Sequence, residues 1–384
     1  MTMNKDRFRC YAACSFGLER AVLDELRRMG AENIDARDAR VYFSADADML
    51  ARANLRLSSA DRIYLVLNEF KAATFDELFD GIESMDWGEI LPKSANFPVL
   101  GDSVRSALKS VPDIQAISKK AIVQAMRRKY GISFYREEGE RYAVYVSILK
   151  DVVTVSLNTS GDGLNRRGYR VRNTKAPLRE TLAAGMIRLT RWYDRPFYDP
   201  MCGSGTIAIE AAMKAMAIAP GLSRDFDAKH WSDEMAAAFS REKTSALSEK
   251  KNSTDVEIFA SDIDEKTLNI AKFHARRAGV LNAIHFSTAD VRSFSPQTET
   301  GTIVTNPPYA IRIGEADEVH ELYASLGERI GKLSGFKKYF ITADEHFERY
   351  YGIPADKKRK LYNGNIKCGF YQYFKNENGV SKKR

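Results

Sequence analysis

The sequence predicts an α/β protein: a doubly wound, mostly parallel sheet in the C-terminal half, preceded by a smaller α+β region. Three observations carry this. From about residue 180, short apolar runs ("PFYDP", "EIFASD", "IHFSTAD", "TIVTNPP", "KYFITAD") alternate with helical stretches, the pattern of βα units. "YDPMCGSGTIAIEAA" (198–212) reads as a strand, a Gly-rich turn and a helix. The first 165 or so residues mix strands and helices but hold no constellation of acid, base and nucleophile.

The elements follow in order. "RFRCYAA" (7–13) is a strand, and "GLERAVLDELRRM" (17–29) puts Leu18, Val22, Leu23 and Leu26 on one helical face before Gly30 stops it. A hairpin over "IDARDARVYFSA", a helix over "ADMLARANLRL" and a strand over "RIYLVLNEF" come next. "TFDELFDGIESM" opens with Thr74 and Glu77 at capping-box spacing. "DIQAISKKAIVQAMRRKYG" is an amphipathic helix with Ile114, Ile117, Ala121 and Ala125 inward, and "RYAVYVSILKDVVTVSLNTSG" is a hairpin turning at Lys150-Asp151. The stretch 165–179, "NRRGYRVRNTKAPLR", carries Arg166, Arg167, Arg170, Arg172, Lys175 and Arg179 with no acid. It is a linker, either a phosphate-contacting strap or a solvated connector. The final "KRKLYNGNIKCGFYQYFK" is a hairpin adding an antiparallel strand, and the insert 220–252 is polar with a helical centre and no evident chemistry.

Composition narrows the function classes. The chain has 384 residues, 44% hydrophobic and 29% charged, enough for more than one core. No run of about 18 apolar residues occurs and the N-terminus lacks a signal-peptide core, so a cytoplasmic protein is expected. Cys10, Cys14, Cys202 and Cys368 form no CxxC sets and the five histidines are scattered, which predicts neither disulfides nor a metal site. The formal net charge of +8 favours a polyanionic partner.

Three strands end in acids. Asp199 stands where a Gly-rich turn begins. That turn, with Gly203 and Gly205, is neither GxGxxG nor a Lys-bearing phosphate loop, so a cofactor with an ammonium or sulfonium suits it better than a pyrophosphate. Asp262 is placed to grip a ribose diol, Ile263 offers an apolar face to a purine, and Asp290 can accept from an exocyclic amine. Together they predict a nucleoside cofactor. Cys202, beside the cofactor rather than a base, is expected to pack rather than react.

The fourth strand runs into "IVTNPPYA" (303–310). Two adjacent prolines cannot lie inside a central strand, so the strand ends in a rigid loop. A nucleobase amine is a poor nucleophile until its lone pair is freed from the ring. Two fixed acceptors, the Asn306 side-chain oxygen and the Pro307 carbonyl, can hold its N–H bonds, and Pro308 keeps them rigid. Tyr309 would stack on the base.

"DPMCGSGT", "SDID", "TAD" and "NPPY" resemble the class I S-adenosylmethionine-dependent methyltransferases that act on exocyclic amines. "FPVLGDSVRSALKSVPDIQAISKKAIVQAMRRKYG" and "GLNRRGYRVRNTKAPLRETLAAGMI" resemble the THUMP domain and linker of RNA methyltransferases. The nearest group methylates guanine N2 in large-subunit ribosomal RNA. The resemblance implies a ferredoxin-like piece over 1–65, a THUMP domain over 66–165, a basic linker over 166–182 and a seven-stranded Rossmann-like methyltransferase domain over 183–384. It gives Asp199, Pro200, Met201, Cys202, Gly203, Ser204, Gly205 and Thr206 the methionine end of S-adenosylmethionine. Asp262 takes the ribose, Ile263 the adenine face and Asp290 the adenine amine. Asn306 to Tyr309 form the acceptor site, with Arg312 just beyond and Ala310 where the family often has glycine. Lys119, Lys120, Arg127, Arg128, Arg166, Arg167, Arg170 and Arg312 are the candidate RNA contacts, the helical ones equally readable as a solvated face. The implied activity is methyl transfer to guanine N2 of RNA, most readily 23S ribosomal RNA. A tRNA enzyme and a non-catalytic RNA-binding assembly factor are the alternatives.

Overall fold

Alternating apolar residues pair seven N-terminal strands into one sheet in the computed structural model, which describes residues 7–171, 178–309 and 316–375. The strands are β1 (Phe8–Ala13), β2 (Glu32–Arg37), β3 (Arg40–Ala45), β4 (Arg62–Lys71), β5 (Val99–Val104), β6 (Val144–Leu149) and β7 (Val152–Asn158), in the order β2-β3-β1-β4-β7-β6-β5. All neighbours are antiparallel except β5 and β6. β4 pairs with β1 on one side and β7 on the other, so position 65/66, the expected domain boundary, falls inside a strand. β5, "VLGDSV", is a strand the sequence reading did not name, since its glycine and acid hide the alternation.

Local signals set the helices. Asp46 caps Ala47–Arg56, Thr74 and Glu77 form the expected capping box, and Gly131 ends Val111–Tyr130 in the left-handed region. Inward residues such as Cys10, Val41, Ile63 and Val155 join the main core with these helices. The alternate residues Tyr11, Tyr42 and Tyr64 form a separate cluster, with Arg9 and Arg37 over Tyr42 and Arg40 over Tyr11.

The second sheet is doubly wound, as expected. It comprises β8 (Phe197–Asp199), β9 (Ile258–Asp262), β10 (His285–Thr288), β11 (Gly301–Thr305), β12 (Phe336–Thr342), β13 (Lys357–Asn363) and β14 (Ile366–Tyr373). Their order is β10-β9-β8-β11-β12-β14-β13, the first five parallel and the terminal hairpin antiparallel. The chain runs outward from β8 to β10, then returns to β11 on the other side. That places the topological switch point between β8 and β11, where α/β sheets bind ligands.

The insert finds its role in this arrangement. Its helix, Asp233–Glu249, packs on Ala47–Arg56 of the N-terminal region: Arg52 and Arg56 both reach the buried Glu242, and Arg241 reaches Asp48. Trp231 stacks on Tyr142 at 5.0 Å and Arg141 pairs with Asp227 at 2.9 Å. The insert clamps the two sheets together. Among the described residues, no helix is long and apolar enough to cross a membrane.

Candidate active site

The short apolar strand β8 buries its last residue, Asp199, to 1% exposure. The Thr305 hydroxyl at the end of β11 donates to Asp199 Oδ1 at 2.8 Å, while Oδ2 is buried without a hydrogen bond. Burial, helped by nearby Asp262 and opposed by the Thr305 bond, pushes the carboxyl up to about 7. The chain then turns through Met201, packed near Tyr198, and Cys202, whose thiol burial raises well above its ordinary range. Gly203 (φ 53°) and Gly205 (φ 86°) take left-handed conformations that a side chain would strain. A Cβ at Gly203 would meet open space, whereas one at Gly205 would lie 2.9 Å from Ala271. The helix Thr206–Ala215 starts there.

Asp262, ending β9, faces the same turn: Gly203 N–H donates to its Oδ2 at 2.8 Å, and Asp264 N–H to its Oδ1 at 3.0 Å. The neighbouring Ile263 is 62% exposed. Pro200 accepts from the Ser261 hydroxyl through its carbonyl, and the buried Ser204 lends its carbonyl to His274. Asp290 follows β10 as expected, but its carboxylate is held by its neighbour Arg292 at 2.6 Å, which keeps it below the usual range. Its oxygens are already engaged.

Asn306 sits directly after Thr305, so the acceptor loop begins one residue from the hydroxyl that holds Asp199. Asn306 Oδ1 is buried without a partner. Pro307 is buried and Pro308 exposed. Tyr323 donates to the Pro308 carbonyl at 2.7 Å and shares a 3.0 Å bond with the Thr342 hydroxyl. Tyr309 is half-buried, with the Cys368 thiol 3.8 Å from its hydroxyl, and burial raises that hydroxyl far above its ordinary range. Ala310 and Arg312 lie outside the described residues.

Sequence reasoning missed Thr305, Tyr323 and Thr342. Thr305 was visible as a polar end to an apolar strand, but nothing local tied Tyr323 to a loop fifteen residues earlier. It also found no well-placed histidine. In the structure His320 lies 2.9 Å from Asp344 and stacks on Tyr350 at 3.7 Å, while Asp344 N–H donates to Thr342. A hydrogen-bonded chain therefore links this pair to the acceptor loop.

Two of the basic candidates need correction. Arg167 is buried, pairs with Glu210 at 3.4 Å and donates to the Leu164 and Ser58 carbonyls. Arg170 is nearly buried; it pairs with Glu180 at 3.1 Å and donates to Thr206 at 2.7 Å. Buried acids on the neighbouring helices demand these partners, so neither guanidinium faces solvent. Arg166 is exposed and pairs loosely with Asp162; Arg172 and Lys175 lie outside the described residues. On the helix Val111–Tyr130, Lys119 is held by Glu137, the Phe97 carbonyl and the Phe97 ring. Arg128 pairs with Glu83; Lys120 and Arg127 are exposed.

S-adenosylmethionine fits these residues on three counts. The unpartnered buried Asp199 oxygen suits a cationic group, the ground over Gly203 is open, and Ile263 presents an exposed apolar face. Among the described residues no cluster of three or more His, Cys, Asp or Glu could hold a metal ion.

Comparison with known proteins agrees. The RMKL-like methyltransferase domain (UPF0020) matches residues 167–372, the RlmL ferredoxin-like domain 9–64 and the THUMP domain 72–158. YpsC of Bacillus subtilis strain 168, provisionally named an RNA methyltransferase, is 42% identical over 96% of each chain. Ribosomal RNA large subunit methyltransferase K/L of Shewanella baltica OS155 is 32% identical over 97% of this chain but 54% of its own. The chain thus spans about half the length of the K/L relatives. SMU.472, crystallised with S-adenosylhomocysteine, shares the fold at a TM-score of 0.89 with 38% identity, over 99% of this chain and 100% of that one.

Proposed function

We propose that this chain, which belongs to the RMKL-like methyltransferase family with ferredoxin-like and THUMP domains ahead of the catalytic one, methylates the exocyclic N2 of a guanosine in RNA, most readily large-subunit ribosomal RNA. Its cofactor is S-adenosylmethionine, which supplies a methyl group activated by a sulfonium. The observation that carries the reading is the meeting of two strand ends: Thr305 hydrogen-bonds Asp199, and the next residue, Asn306, turns an unpartnered oxygen into a buried position.

The residues divide the work. Ionised Asp199 would hold a cationic end of the cofactor, Asp262 its ribose and Ile263 one face of its adenine. Asn306 Oδ1 would accept from the target amine and free its lone pair, at little reorganisation cost because the prolines fix the loop. Pro308, by contrast, spends its carbonyl on Tyr323, which leaves Pro307 to supply the second acceptor. The methylated amine becomes cationic and loses a proton readily, so the chain needs no strong base. Guanine N2 is buried in a duplex, which requires an unpaired or flipped target. The 1–65 and 66–165 regions would present RNA to this site. The supporting comparison is the K/L name, which concerns a longer protein.

The test is mass-spectrometric mapping of N2-methylguanosine in ribosomal RNA from cells with and without the gene. Loss of one such mark, restored by the wild-type gene and not by Asn306→Ala, supports the reading. Unchanged ribosomal RNA with a lost tRNA mark moves the substrate; no lost mark in either ends the proposal.

A further inference from the structure

A cavity of about 250 Å³ lies between the helix Glu19–Arg28 of the N-terminal region, the helix Glu180–Leu189 and the far end of Thr206–Ala215. That last helix starts at the Gly-rich turn and ends in the cavity, so the two places are separated by about 15 Å of helix. The cavity is a different site from the strand-end acids.

Its charges do not balance locally. The Glu25 carboxylate is saturated by the N–H and hydroxyl groups of Ser58 and Ser59 and by Arg188 at 2.9 Å. Glu210 is taken by Arg167 and Tyr169, and Glu249 by Arg56. Two cations are left over. The Lys214 ammonium donates to the Trp192 carbonyl and lies 4.8 Å from the Trp192 and Tyr193 ring centroids. Arg28 donates to the Tyr193 hydroxyl at 2.7 Å and lies 5.7 Å from the same ring. Among the described residues neither has a carboxylate within ion-pair distance. Two cations converging on one exposed tyrosine, beside a third at Arg188, repel each other. Burial first, then Arg188 and Arg28, push the lysine down to about 7.

We propose that this cavity binds a phosphate group, gripped by Arg28 and Lys214 across the junction of the N-terminal and C-terminal regions. An anion there offsets both surplus charges, and guanidinium and ammonium together suit a tetrahedral oxyanion. The remaining wall, with Met29, Ile187, Met213 and Ile218, suits an attached organic portion. The phosphate can belong to a free mononucleotide or to an RNA backbone. The inference does not depend on which base is methylated.

Isothermal titration of the full chain with sulfate, guanosine 5′-monophosphate and a short single-stranded RNA tests it. Sulfate is expected to bind one site, and both Lys214→Met and Arg28→Met to weaken it about tenfold or more while S-adenosylhomocysteine binding stays unchanged. Sulfate keeps its charge between pH 8.5 and 6.5, so its affinity should rise about tenfold over that fall as Lys214 protonates, and stay flat in Lys214→Met. The groups facing Lys214 are Glu25, Arg28, Arg188, Arg56, Glu210 and Glu249; the acids among them are already paired. Tighter binding of the mononucleotide assigns the organic portion, and competition between RNA and sulfate assigns the phosphate to RNA. No saturable binding of any probe at millimolar concentration, or binding indifferent to both substitutions, overturns the proposal.

Discussion

Two seven-stranded sheets share this chain, and they use their strands differently. The N-terminal sheet is nearly all antiparallel, so its hairpins connect neighbours directly and its polar side chains lie across a face: three tyrosines roofed by three arginines. The C-terminal sheet is parallel through its first five strands, with crossover helices between them, so its polar groups collect at strand ends. Asp199, Asp262, Asp290 and Asn306 all stand there. One sheet spreads its polar groups over a face and the other gathers them in a crevice, the place where α/β sheets bind small molecules.

The sharpest way to break that contrast is to remove a residue that serves the junction rather than either sheet. Arg167→Met leaves Glu210 as an uncompensated buried charge and should cost about 3–5 kcal/mol of stability, read as a lowered denaturation midpoint. A midpoint near wild type would return Arg167 to the RNA-facing strap. Asn306→Ala should next cut methyl transfer by about 10²–10³-fold while cofactor affinity, by calorimetry, changes little. Equal losses in both would deny the side chain its role as amine acceptor. For Asp199 the test is pH. A carboxyl raised to about 7 takes up a proton as pH falls through that value and no longer balances a cation. Cofactor affinity should then drop up to about tenfold per unit below 7, and the slope should vanish in Asp199→Asn. A slope unaltered by that substitution assigns the pH effect elsewhere.

Smaller effects sharpen the same division. Tyr323→Phe frees the Pro308 carbonyl and should cost about 1 kcal/mol in kcat, with KM for the cofactor nearly constant. A purely thermal loss with full activity would make Tyr323 a packing residue. Arg166→Glu is exposed and should leave folding alone while lowering the salt slope of RNA binding by about 1 for the lost phosphate contact. An unaltered slope would leave Arg166 a solvated connector.

Most of the elements were legible because their signals are local. The capping box at Thr74 and Glu77, the Lys150-Asp151 turn (φ 51° and 62°) and the βα alternation after 180 each need only a few neighbouring residues. β5 escaped because Gly101 and Asp102 break its alternation and its partner β6 lies some forty residues on. The insert looked like polar filler because Glu242 acquires meaning only opposite Arg52 and Arg56.

By itself, then, the amino-acid order determined which residues end the parallel strands and that a proline-stiffened asparagine follows one of them, since turn chemistry and periodicity act over short range. Only the tertiary structure decided which charges are spent. Arg167 and Arg170 look identical to Arg166 in the sequence, yet two are drawn inward against Glu210 and Glu180 and one stays in solvent with only the exposed Asp162 beside it. Desolvation depends on what packs around a group, and those neighbours arrive from elements far along the chain.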